Sequence, residues 1–67
     1  MTVVKIIELI GTSEKSWEDA VQNAVTEATK TIRNISGVHV INQTAEVKDG
    51  KIISFKANVK VAFVVER

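Results

Sequence analysis

Lys51-Ile52-Ile53-Ser54-Phe55-Lys56-Ala57-Asn58-Val59-Lys60-Val61-Ala62-Phe63-Val64-Val65-Glu66 is the stretch that decides how this chain folds. Every odd position after Lys51 is apolar: Ile53, Phe55, Ala57, Val59, Val61, Phe63 and Val65. Even positions are mostly polar, with Ser54, Lys56, Asn58, Lys60 and Glu66. An alternation of period two sustained this long predicts one β-strand with a buried face and a largely solvated one. At roughly 3.3 Å per residue the strand would run about 50 Å. The one helix available elsewhere covers only part of that length, so the rest of the apolar face is expected to meet other copies of the chain.

Composition leads to the same expectation. The 67 residues read as a single domain spanning 1–67. Domains of this size bury only about 60% of their unfolded surface and usually need a staple or a partner. With no cysteine and one histidine, disulfides, thiolate metal sites and histidine clusters are excluded. Hydrophobic residues make up 45% of the chain and proline is absent, which is too apolar and too regular for disorder. The net charge of +1 comes from interspersed Lys, Arg, Asp and Glu without a basic stripe, so nucleic acid is not expected as a partner. Val3–Ile10 is broken by Lys5 and Glu8 and is too short to span a bilayer, and it lacks a signal-peptide cleavage pattern. A soluble cytoplasmic protein that does not engage membranes is the expectation.

Glycines punctuate the remainder. Val3–Ile10 is rich in β-branched residues and predicts a first strand ended by Gly11. Ser16 followed by Asp19 resembles a capping box, which starts a helix near Trp17. Trp17, Ala20, Val21, Ala24, Val25, Ala28, Ile32 and Ile35 recur at three and four and form one apolar stripe, predicting a helix of about 27 Å. Gly37 stands where a helix needs a left-handed exit, and Val38–Lys48 reads as a second strand. Asp49-Gly50 signals a two-residue hairpin; a type I′ turn there would place Gln43 opposite Lys56 and Glu46 opposite Ile53. The fold class is α+β, ordered β-α-β-β, with a three-stranded antiparallel sheet wrapped around one helix.

The run Glu8-Leu9-Ile10-Gly11-Thr12-Ser13, then Ser16-Trp17-Glu18-Asp19-Ala20, the hairpin and the closing Val59-Lys60-Val61-Ala62-Phe63 together resemble a dodecin over nearly the whole chain. The resemblance implies a hollow, roughly spherical homododecamer in which each long curved sheet wraps its own helix. It also implies a small-molecule ligand, with flavins (riboflavin or FMN) held in stacked pairs between subunits of many members. The family positions on that surface are Gly37, Val38, Gln43, Glu46 and Lys56. Flavin-binding members carry a tryptophan where this chain has Gly37 and a glutamine where it has Lys56. Gly37 supplies no ring to stack on, and Lys56 donates without accepting, so it does not reproduce a glutamine's paired contact with an imide.

Other residues carry plainer expectations. Trp17 lies on the helix stripe and is expected to pack rather than stack on a ligand. His39 alternates with Val38 and Val40 and is expected to face outward or lie at a subunit contact. Asn42 and Glu46, with Asp49 nearby, offer oxygens to a hard divalent cation; a solvated strand face is the alternative. The chain shows no nucleophile with a base, no phosphate loop and no metal-ligand spacing, so catalysis is not expected. Two functions follow: a shell that binds or stores a small ligand, flavin by resemblance, or a structural or cation-binding cage without flavin.

Overall fold

A computed structural model describes residues 2–65. The elements are β1 (Val3–Ser13), α1 (Trp17–Thr29), β2 (Ile35–Lys48) and β3 (Lys51–Val65). The sheet order is β1-β3-β2 with both pairings antiparallel, so the strand that alternates longest lies in the middle. The expected β-α-β-β order and α+β class hold. The subunit measures 52 × 20 × 13 Å, and its radius of gyration of 13.7 Å exceeds the ~11 Å of a compact chain this long.

Helix start and helix end have different fates. Ser16 caps α1: its backbone is extended and its side chain accepts a hydrogen bond from the Asp19 N–H at 3.0 Å. The Asp19 carboxylate accepts from the Ser13 hydroxyl at 2.6 Å, tying the end of β1 to the first helical turn. At the other end α1 stops at Thr29, about 20 Å from its start, with Lys30 as C-cap. The predicted stripe therefore overran; Ile32 and Ile35 lie beyond the helix, and Ile35 opens β2. The sequence Thr29-Lys30-Thr31-Ile32 is poor in helix propensity, and its turn tightens through Lys30 N–H to Glu27 O and Thr31 N–H to Ala28 O bonds. The left-handed residue of the exit is Asn34 (φ 64), not Gly37, which is an ordinary strand residue. Asparagine tolerates that conformation, and the Asn34 carbonyl accepts from the Val64 N–H at 3.0 Å.

Gly11 does not end β1, which continues to Ser13. A Cβ at Gly11 would sit 2.0 Å from the Ala20 carbonyl oxygen and 3.0 Å from the Ala24 Cβ, so the helix backbone rests directly on this glycine. Ala20, Ala24 and Ala28 form the buried edge of α1 and let it approach closely. Against them lie Ala57, Val59 and Val61, each with no exposed surface. The core is therefore the middle of β3's odd face, with Ile7, Leu9, Val21 and Ile35 packed around it. Beyond the helix the odd face opens; Ile53 is 42% exposed. Glu66 falls outside the described residues. No helix among the described residues is long and apolar enough to cross a membrane.

The hairpin is the type I′ turn expected, with positive φ at both Asp49 (53°) and Gly50 (77°). Its register follows the turn for only Lys48↔Lys51 and Val47↔Ile52. An irregularity between Glu46 and Val47 then shifts the pairing by one residue, giving Glu46↔Ser54, Thr44↔Lys56, Gln43↔Ala57 and Asn42↔Asn58. The expected pairs Gln43 with Lys56 and Glu46 with Ile53 are thus corrected. A second shift between Val40 and Asn42 restores the original register.

Candidate functional site

The two register shifts decide which residues share a surface, because slipping by one residue turns every side chain to the other face of a sheet. Without them Asn42, Thr44 and Glu46 would stand on the helix side. With them these residues stand on the helix-free face, opposite Asn58, Lys56 and Ser54 respectively. Before the segment, Val38 and Val40 pair with the buried Val61 and Val59 on the helix side.

The helix-free face therefore carries a polar stripe running across β2 and β3. Asn42 faces Asn58, Thr44 faces Lys56, and Thr12 of β1 flanks Lys56 on its other side. The Glu46 carboxylate lies 3.5 Å from the Lys56 ammonium, both side chains about half exposed. One row further along, Glu8, Lys60 and His39 stand side by side across the three strands. The Oδ1 atom of Asn58 is buried and has no hydrogen-bond partner among the described residues. A buried acceptor left unpaired costs about 1–3 kcal/mol, so this atom calls for a donor or a cation.

Of the residues singled out in the sequence, Gly37, Lys56, Glu46 and Asn42 share this face. Gln43 and Val38 pair with Ala57 and Val61 and stand on the other. Gly37 is opposite Ala62, and a Cβ built on it meets nothing within 4 Å. Asn42 and Glu46 are four residues apart on one strand, about 13 Å, too far to hold one ion within a single chain. Asp49 lies beyond both, in the turn. Among the described residues no three acidic, histidine or cysteine side chains come together as a metal cluster.

The phenylalanine and tryptophan rings are all on the opposite side. Phe55 and Phe63 occupy odd positions of β3, facing Ser13 and Lys5 of β1 in the helix-side rows. Trp17 meets Phe55 edge-on, with ring centroids 4.8 Å apart at 76°, and its indole N–H donates to the Thr44 carbonyl at 2.8 Å. The packing role expected for Trp17 is what its ring performs. An open groove lies between the edge of β1 and α1, lined by Leu9, Ile10, Gly11, Thr12, Asn23 and Glu27 among others, and reaches the stripe at Thr12. Another is at the far end, where Thr31 to Asn34 meet Phe63 to Val65.

Sequence reasoning missed Asn58 and Thr44 as members of this surface. Their only signal is the hairpin register, and the bulge that sets it lies in Glu46-Val47, where no glycine or proline marks it.

The Dodecin family model matches residues 3–66. Calcium dodecin of Mycobacterium tuberculosis is 36% identical over 63 residues, covering 94% of this chain and 89% of the relative. Its crystal structure, described as containing a calcium-binding site, superposes with a TM-score of 0.83 and covers 96% of this chain and 91% of that one. Dodecin of Thermus thermophilus is 31% identical over 64 residues, covering 96% and 93% of the two chains. The structure of dodecin from Streptomyces coelicolor superposes with a TM-score of 0.95 at 29% identity, covering 98% and 94%.

Proposed function

The chain belongs to the dodecin family, and from that premise we propose that it forms a closed homododecameric shell that binds a hard divalent cation on the helix-free sheet face rather than storing flavin. The observation that carries this reading is the composition of that face. It offers oxygen acceptors, including the unpartnered Oδ1 of Asn58, and no phenylalanine, tyrosine or tryptophan ring among the described residues. Calcium is held by six to eight oxygens, and Asn42, Asn58 and Glu46 are of the right chemistry. One subunit supplies too few of them, and Asn42 and Glu46 stand too far apart, so the shell is completed by copies related by symmetry. The M. tuberculosis relative, named for calcium, supports the same direction.

Self-assembly is supported by the apolar surface that α1 leaves uncovered. Ile10 is 67% exposed, Val47 62%, Ile6 56% and Ile52 54%, spread over both ends of a 52 Å subunit. Apolar exposure on this scale marks an interface. The role proposed is storage or buffering of the ligand in the cytoplasm, without turnover.

Flavin is disfavoured by the site. Gly37 supplies no ring to stack on, Lys56 is engaged by Glu46, and the Trp17 ring is committed to Phe55 and Thr44. The loss of one stack, worth about 1–3 kcal/mol, corresponds to roughly tenfold to more than a hundredfold in affinity. Paired titrations of the chelator-treated protein test the reading. Calcium is expected to raise the melting temperature by at least about 4 °C at saturation, reversed by chelator, while flavin fluorescence is not quenched at sub-micromolar protein. Tight flavin quenching with no response to calcium would reverse the assignment. Native mass spectrometry is expected to show twelve copies, and a stable folded monomer at micromolar concentration would remove the shell.

A further inference from the structure

We infer that Lys56 is a tethered competitor for the divalent cation at Glu46, and that it sets how tightly this shell holds its metal. The inference rests on the cation reading above and goes beyond it by naming the residue that tunes affinity. The helix-free face carries two carboxylates, Glu8 and Glu46, among its described residues, and each stands beside an ammonium group. Glu8 is directly opposite Lys60 in the sheet, and Glu46 lies 3.5 Å from the Lys56 Nζ. Of the two, Glu46 lies on the bulge-bracketed part of β2 that carries the oxygen acceptors Asn42 and Thr44. For Glu46 to ligate a divalent ion, its contact with Lys56 must open, or the ion must accept a positive charge within a few ångströms.

The fold makes that exchange local. Lys56 sits in the central strand, fixed between Thr12 and Thr44 in the ladder, so its backbone has no freedom to withdraw. Its side chain is about 41% exposed and long enough to swing into solvent on its own. An ion pair this exposed, and a unit charge several ångströms from a divalent ion in water, each amount to roughly twofold to threefold in affinity. Together these set the competition at roughly threefold to tenfold in cation affinity. The affinity is thereby held down without altering the oxygen ligands, which suits a buffer that must release what it binds.

Calorimetric calcium titrations of the assembled, chelator-treated protein separate this inference from the reading beneath it. Lys56→Met and Lys56→Gln are expected to bind calcium roughly threefold to tenfold more tightly than the unaltered protein. Lys60→Met, which removes the same charge from the same face but four residues along the strand, about 13 Å away, is expected to change affinity less than twofold. Glu46→Gln is expected to bind weakest. Calcium binding by the unaltered protein that is not tightened by either Lys56 change overturns the competitor role and leaves the cation reading standing. Equal tightening by Lys60→Met also overturns it, because the effect would then belong to the general field of the face. No calcium binding by any of the proteins sinks both. A second measurement needs no variant: amine-directed labelling followed by mass spectrometry is expected to show Lys56 becoming more reactive at saturating calcium while Lys60 does not. Unchanged Lys56 labelling under calcium that is demonstrably bound overturns the inference.

Discussion

The two faces of β3 are built from alternate residues of one strand and have opposite obligations. Ala57, Val59 and Val61 are completely buried under the subunit's own helix, whereas Lys56, Asn58 and Lys60 between them look away from it. The buried set is closed by small residues on both sides, with Gly11 in the sheet and Ala20 and Ala24 in the helix. The other set has no partner element among the described residues, and its neighbours include the exposed Ile6 and Ile10. One face thus stabilises the subunit, and the other is the one proposed to meet the cation and other copies. What separates them is a single residue's offset, which is why a bulge in β2 suffices to transfer Asn42, Thr44 and Glu46 from one role to the other.

The largest effect expected is from Val61→Lys. An ammonium group placed at a position with no exposed surface has no partner there, and the loss should exceed about 4 kcal/mol, enough to abolish the folded subunit and the assembly. Lys60→Ala, one residue away on the other face, should alter subunit stability by less than about 0.5 kcal/mol. Circular dichroism melts and native mass spectrometry of the two proteins measure the contrast. Equal behaviour would mean that the strand does not separate its faces in this way.

The glycines give a second contrast of intermediate size. Gly11→Ala forces a methyl group into the Ala20 carbonyl, which is backbone and has no rotamer to yield, so α1 must lift off β1 at a cost of about 2–3 kcal/mol. For a domain of this size that corresponds to a fall of roughly 10 °C or more in melting temperature. Gly37→Ala meets no atom within 4 Å and should leave stability within about 0.5 kcal/mol of the original. If Gly37→Ala were the more damaging of the two, an intersubunit contact at Gly37 would be exposed by the comparison.

These contrasts also mark how far the sequence could be read. The period of two in β3, the Ser16 cap and the Asp49-Gly50 turn are local signals, each enforced by neighbours within a few residues, and all were legible. The helix end was not, because Ile32 and Ile35 continue the apolar spacing after α1 has stopped at Thr29, one on either side of the left-handed Asn34. The register of β2 was legible beside the turn and again from Gly37 to Val40, but not between Asn42 and Glu46. The shift at Glu46-Val47 carries no glycine and no proline to mark it in the sequence. That shift brings Glu46 to Lys56, so both residues were visible as candidates while their contact was not.

A loss smaller than those at Val61 and Gly11 is expected at Trp17, a side chain that links the two regions. Its ring belongs to the helix side, packed edge-on against Phe55, while its N–H reaches the carbonyl of Thr44, in the middle of the segment whose side chains face the other way. Trp17→Phe keeps an aromatic ring and removes the donor, so the Thr44 carbonyl loses one hydrogen bond worth about 1 kcal/mol. A fall of roughly 4–8 °C in melting temperature is expected, with assembly intact and calcium affinity changed less than threefold, because the indole supports the backbone behind the stripe without touching the face that binds. An unchanged melting temperature would show that the bond adds nothing to stability. Complete loss of calcium binding with the fold preserved would place Trp17 among the binding residues themselves, and the division of the sheet into a stabilising face and a binding face would fail at that point.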